Sequence, residues 1–131
     1  MNDLKNEVNK LLKEQFGAEI DLEFREMGKK RIYAFKKCSM DISIKHEGVY
    51  FGRLERDGIR LSIEGSFITG KVAKKGIIEV DEENAFRWMK GEEIESDIVG
   101  YIIIKWGNYF LGCGKGNGKR ILNFIPKDRR I

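Results

Sequence analysis

The sequence predicts an α+β fold, mainly antiparallel strands with two or three helices, and three observations carry that expectation. Apolar residues recur at helical spacing in two short stretches, whereas elsewhere they alternate with polar residues or form short apolar runs. Turn residues, chiefly the 15 glycines, separate these runs. With one proline, no internal repeat and no Pro/Ser-rich linker, the 131 residues read as one continuous packed unit.

The first element is a helix over 3–16. Leu4, Val8, Leu11 and Leu12 fall at i, i+4, i+7 and i+8, Asn2 or Asp3 caps the start, and Gly17 stops it. Such a stripe needs a partner surface. Ile20, Leu22 and Phe24 then alternate with Asp21, Glu23 and Arg25, which predicts a strand with one buried face. Gly28-Lys29-Lys30 turns the chain into a partner strand at 31–35, and 40–44 and 48–54 read as two more. Asp57-Gly58 is a hairpin signal before a strand at 59–63. Residues 64–72 stay open between helix and strand, because Phe67, Ile68 and Val72 suit a helical turn while Gly65 and Gly70 weaken both readings.

The second half is sharper. Residues 77–80 form a short buried strand, Asp81 caps a helix that carries Glu82 and Glu83 in its first turn, and Gly91 ends it after Lys90. Residues 101–106 form a central strand, Gly107-Asn108 a tight turn, 109–113 a strand, 114–118 a glycine-rich loop and 120–125 a last strand closed by Pro126.

Composition narrows the function. An apolar share of 41% and a charged share of 35% belong to a globular chain. The longest apolar run is 101–104, and the N-terminus opens a polar amphipathic helix, not a signal peptide, so a cytoplasmic protein with no membrane contact is expected. Cys38 and Cys113 lack metal-ligand spacing and read as semi-buried thiols, and His46 alone leaves little scope for a nucleophile–base pair. No metal, cofactor or catalytic residue is therefore expected. Charge is segregated: residues 31–75 carry ten basic and five acidic side chains, 76–98 two and eight, and 99–131 seven and one. Helix chemistry accounts for much of the acidic segment. The two basic tracts suit either a phosphate-binding surface or an unevenly charged solvated one.

The order of a strand at 77–80, a helix ending in Lys90-Gly91, Gly100-Tyr-Ile-Ile-Ile-Lys105 and Leu111-Gly-Cys-Gly-Lys115 resembles a PUA domain, an RNA-binding barrel. Residues 100–105, 110–115 and Asn123-Phe-Ile-Pro-Lys127 are similar to the PUA-like domain appended to Sun-family RNA cytosine-5 methyltransferases, as are 61–65. The resemblance covers 45–131, which leaves 1–44 as an N-terminal α/β extension of helix plus strands. It implies a PUA-like β-barrel and an RNA-binding accessory domain without the methyltransferase: neither cysteine has a Pro-Cys or Thr-Cys context, and no dinucleotide fingerprint occurs. The segment 92–99 departs from the family by lacking proline.

In PUA domains RNA lies against the first helix and the last strand, which by resemblance points to Arg87, Lys90 and Gly91 with Lys119, Arg120 and Asn123. The stretch 112–120 is rich in glycine and cations but is no Walker A loop. Either it brings Gly114 and Lys115 to a phosphate, or it is a hairpin that needs glycine to turn. Lys105 and the tail cations Lys127, Arg129 and Arg130 complete the candidate RNA contacts. Trp88, Trp106 and Tyr109 could stack on bases, though aromatic residues also serve as core. The expected partner is tRNA or rRNA, with an RNA-modifying enzyme or assembly factor. Two alternatives stand: an adaptor that docks through the Leu4–Leu12 stripe, or a small PUA-related enzyme acting on nucleic acid.

Overall fold

The structure is a computed structural model that describes residues 3–36 and 48–131. The strand expected at 40–44, together with Cys38 and His46, lies outside the described residues. Helix α1 (Asp3–Phe16) buries Val8, Leu12 and Phe16, one side chain per turn, with Leu4 and Leu11 packed at its margins. Gly17, at φ 61°, reverses the chain so that Ala18 N–H reaches the Leu12 carbonyl at 3.3 Å. The apolar stripe is thus consumed by the core. That corrects the adaptor reading, which required the stripe to be a free docking surface.

Four antiparallel strands follow in the order β1 (Glu23–Glu26), β2 (Arg31–Phe35), β3 (Val49–Glu55) and β4 (Gly58–Leu61). Their period-two patterning divides the sheet cleanly. Phe24, Ile32, Ala34, Phe51, Ile59 and Leu61 face the core beneath α1. A register shift between Ile32 and Tyr33 keeps both strands in phase with that face. The strand expected at 59–63 ends earlier, because Ser62 turns the backbone and its Oγ accepts the Gly65 N–H at 2.9 Å. Helix α2 (Ile63–Gly70) starts there and settles the open segment. Gly65, which weakened the helical reading, is required by tertiary contact: a Cβ on it would lie 1.9 Å from the Phe51 carbonyl oxygen.

The second sheet has the order β5-β7-β8-β9-β6, built from β5 (Ile77–Glu79), β6 (Ile94–Glu95), β7 (Val99–Trp106), β8 (Tyr109–Asn117) and β9 (Arg120–Asn123). β5 runs parallel to β7 and the other pairings are antiparallel. Helix α3 (Glu82–Met89) crosses one face, capped by Asp81, whose carboxylate accepts the Asn84 N–H at 2.9 Å. The continuous apolar run of β7 is explained by burial on both faces. Ile102 and Ile104 point to Trp88, Ile121 and Ile125 under α3, whereas Ile103 joins the core shared with α1 and the first sheet. The result, among the described residues, is an α+β, mostly antiparallel pair of curled sheets with three α-helices. Among the described residues no helix is long and apolar enough to cross a membrane.

Candidate nucleic-acid interface

The C-terminus of α3 is built as a junction. Lys90 caps the helix and Gly91 follows at φ 99°, a backbone that favours glycine. A Cβ at Gly91 would stand 2.5 Å from Arg130 Nε, because the tail folds back over this point. Arg130 Nε donates to the Ile125 carbonyl at 3.0 Å, and Ile131 N–H donates to Met89 at 3.1 Å. Asn123 closes the junction from β9. Its Nδ2 donates to the carbonyls of Trp88 (2.8 Å) and Glu92 (2.9 Å), and its Oδ1 accepts the Ile125 N–H at 2.8 Å.

The segment after α3 carries two surface ion pairs, Arg87–Glu92 at 3.8 Å and Arg120–Glu93 at 3.3 Å. Lys119 enters through the β8–β9 turn, where Asn117 Oδ1 accepts the N–H groups of Lys119 and Arg120, both at 2.9 Å. The fold therefore brings Arg87, Lys90, Gly91, Asn123 and Arg130 to the end of α3 and ties in Arg120 through Glu93, with Lys119 next along in the β8–β9 turn and exposed Lys127 in the adjoining 3-10 turn (Lys127–Arg129). At this junction Asn123 is a clamp, with both amide N–H groups donating to backbone carbonyls and its oxygen accepting a backbone N–H.

The side chains of the other expected cations turn elsewhere. Lys105 rests over the Phe110 ring, 5.8 Å from its centroid. Arg129 pairs with Glu64 at 2.9 Å. Lys115 forms an ion pair with Asp57 and lies 5.5 Å from the Tyr101 centroid. These contacts, Lys115 first and the Tyr101 hydroxyl second, hold the Asp57 carboxyl below its ordinary range. Burial, aided by Asp57, pushes the Tyr101 phenol up.

The glycine-rich loop expected at 114–118 is corrected. β8 continues to Asn117, and Gly114 pairs with Ile102 on one side and Asn123 on the other. Gly114 is buried, and a Cβ there would lie 2.5 Å from both Ile121 Cγ2 and Trp88 Cη2. Its glycine serves close packing, not a phosphate cradle. Trp88 is likewise fully buried and is core. Trp106 and exposed Tyr109 form an aromatic run with Phe86, at centroid distances of 5.9 and 5.7 Å. Cys113 points the other way, into the core shared with α1 and the first sheet, and its burial there pushes the thiol up to about 12.

One concentration of cations was not singled out from the sequence. Arg60 of the first basic tract meets Arg129 of the second across a cleft of about 220 Å³ also lined by Tyr50, Ser62 and Phe124. Arg60 belongs to the solvent-facing side of β1–β4, which also carries Arg25, Arg53, Tyr33 and Phe35. The signal was present in Arg31-Ile-Tyr-Ala-Phe35, whose odd positions are cationic or aromatic and share one face.

Residues 75–131 match the family model of the methyltransferase RsmF PUA domain. The chain is similar to the "Ribosomal RNA small subunit methyltransferase F" of Aeromonas salmonicida, 29% identical over 84 residues that make up 62% of this chain and 18% of the relative. The protein of the same name from Aeromonas hydrophila is 27% identical over 97 residues, 72% of this chain and 20% of the relative. The chain thus spans about a fifth of the length of these curated relatives. The resemblance to a methyltransferase-associated PUA domain, expected from 100–105, 110–115 and 123–127, holds for the C-terminal part of the chain.

Proposed function

We propose that this chain is an RNA-binding module, non-catalytic in itself, which contacts structured rRNA or tRNA by backbone and shape in the cytoplasm. It would serve RNA modification or ribosome assembly beside a modifying enzyme or assembly factor. The observation that carries the reading is the junction at Gly91, where Arg87, Lys90 and Arg130 meet at one helix end, Arg120 is tied in through Glu93, and Lys119 and Lys127 sit in the flanking turns. Phosphate contacts of this kind supply salt-sensitive affinity, and the fixed spacing of the cations favours a helix of defined shape. The pairs with Glu92 and Glu93 are exposed, worth about 0–1 kcal/mol each, and can exchange for phosphates at small cost. The names of the relatives favour rRNA over tRNA. In this reading the N-terminal extension is part of the scaffold, since β2 pairs with β3 and α1 fills the core between the sheets.

The test is a salt titration of binding to rRNA fragments and tRNA, with Lys90→Ala/Lys119→Ala/Arg120→Ala as the variant. Wild type should bind at low salt and weaken steeply as salt rises. The variant should bind less well, with a log–log slope shallower by roughly 0.7–0.9 for each phosphate it no longer neutralises. Lys115→Ala, whose side chain turns away from the junction to Asp57 and Tyr101, should stay within about twofold of wild type, a difference of about 0.4 kcal/mol. Absence of binding at low salt, or an unchanged slope in the triple variant, would remove the proposal.

A further inference from the structure

The solvent-facing side of β1–β4 lies outside the residues matched to the PUA family and plays no part in the junction at Gly91. Its chemistry is unlike that of an ordinary wet sheet face. Cross-strand register places Arg25 opposite Tyr33, Arg31 opposite Arg53, Tyr33 opposite Tyr50 and Arg53 opposite Arg60. An inert exposed face would intersperse both signs of charge with small polar side chains. Here arginines and aromatic rings occupy most positions.

The rings and cations are already assembled. Tyr33 and Tyr50 touch, with centroids 5.4 Å apart and planes at 46°, and together form an aromatic surface wider than one ring. Arg25 lies over Phe35 at 5.3 Å, and Arg60 lies over Phe124 at 4.5 Å. Arg25 and Arg31 are exposed, while Tyr33, Phe35 and Tyr50 are half-buried. The charge balance is positive. Arg53 and Arg60 share one carboxylate, Glu55, at 3.8 and 3.7 Å, and the buried Arg53 Nε has no hydrogen-bond partner among the described residues. A second carboxylate among the described residues of this face, Glu23, is approached by Lys5 at 4.0 Å. Concavities border both ends: one joins Lys29 to Arg31, Tyr33 and Arg53, and the other is the cleft that joins Tyr50 and Arg60 to Arg129.

Flat rings that stack on any base, interleaved with cations that track phosphates, form a surface for unpaired nucleotides. A rigid duplex keeps its bases stacked inside and offers nothing to Tyr33 and Tyr50. An acidic protein would satisfy the arginines but would not need the paired rings. We propose that the open face of β1–β4 binds a single RNA strand, with Tyr33 and Tyr50 as the base platform and Arg25, Arg31 and Arg53 as phosphate contacts. The strand would run from the Lys29 end to the cleft between Arg60 and Arg129. This surface is separate from the junction at Gly91, so either can fail alone.

The experiment is fluorescence anisotropy with labelled unstructured RNA 12-mers, oligo-U and oligo-A, on the full chain. Tyr33→Ala/Tyr50→Ala should weaken binding about 30-fold, since each base stack is worth at least about 1 kcal/mol. Tyr33→Phe/Tyr50→Phe should restore it to within about threefold, because stacking needs the ring and not the hydroxyl. Arg25→Ala/Arg31→Ala changes only exposed side chains; it should make the salt slope shallower by roughly 0.7 for each phosphate left without its arginine. The proposal is overturned if wild type ignores both oligomers at low salt, which would leave the face to a protein partner. It is also overturned if the alanine variant, with its melting curve intact, binds as wild type does. Binding of structured rRNA or tRNA decides the junction and is read separately.

Discussion

Asn123 offers the most direct check on how the C-terminal part is held together. Replacing it with alanine removes three hydrogen bonds at once: two donated to the Trp88 and Glu92 carbonyls and one accepted from Ile125 N–H. The bonds to Trp88 and Ile125 are half-buried and the bond to Glu92 is exposed. At about 1 kcal/mol for each sheltered bond and less for the exposed one, Asn123→Ala should cost about 2–3 kcal/mol. That corresponds to a fall in Tm of roughly 10 °C for a chain of this size. Asn123→Asp should cost more, because a carboxylate would then face two carbonyl oxygens. The assay is urea denaturation with the m-value held constant, so that the midpoint shift reports stability alone. A loss below about 0.5 kcal/mol in both variants would refute the clamp. A direct RNA contact would behave differently, with weaker RNA binding and unchanged stability.

Other outcomes follow from the same contacts. Gly114→Ala should destabilise the protein by about 1–3 kcal/mol, because the new methyl meets Ile121, Trp88 and the Leu122 carbonyl within 2.7 Å. A mobile loop would tolerate it, and the urea midpoint distinguishes the two. The Asp57 carboxyl titrates below its unfolded value of 3.8, so the folded state binds its proton less readily than the unfolded chain. Its contribution is therefore present above pH 3.8 and is lost as pH falls through the lower, folded pKa. Asp57→Asn should lower Tm at about pH 6–7, with the difference vanishing toward about pH 2. A Tm difference independent of pH across that range would sink the linkage.

Much of the fold was legible because its signals are local. The helical spacing of Leu4, Val8 and Leu12, the cap at Asp81 and the stop at Gly91 each depend on residues within one or two turns. The alternation around Phe24 and Ile32 likewise reports its own buried face. Residues 62–70 were not legible. Ser62 could continue a strand or cap a helix, and Gly65 looked like a breaker until Phe51 was seen against it. The glycines at 114–118 failed for the same reason, since turn and close packing call for the same residue.

By itself the sequence determined the α+β class, the two helices with clear spacing, the PUA-like C-terminal part and the segregation of charge into two basic tracts. The class, the helices and the charge segregation follow from periodicity, capping and composition, and the PUA-like part from resemblance to a known family; none of these needs knowledge of distant contacts. Only the tertiary structure decided which cations meet. It set Arg130 over Gly91 and Arg120 beside Glu93, but sent Lys115 to Asp57 and Arg129 to Glu64. It also turned the odd residues of Arg31–Phe35 toward Tyr50 and Arg53 to form an aromatic and cationic face. A side chain's charge is written in the chain, whereas its neighbours depend on strand pairings dozens of residues apart.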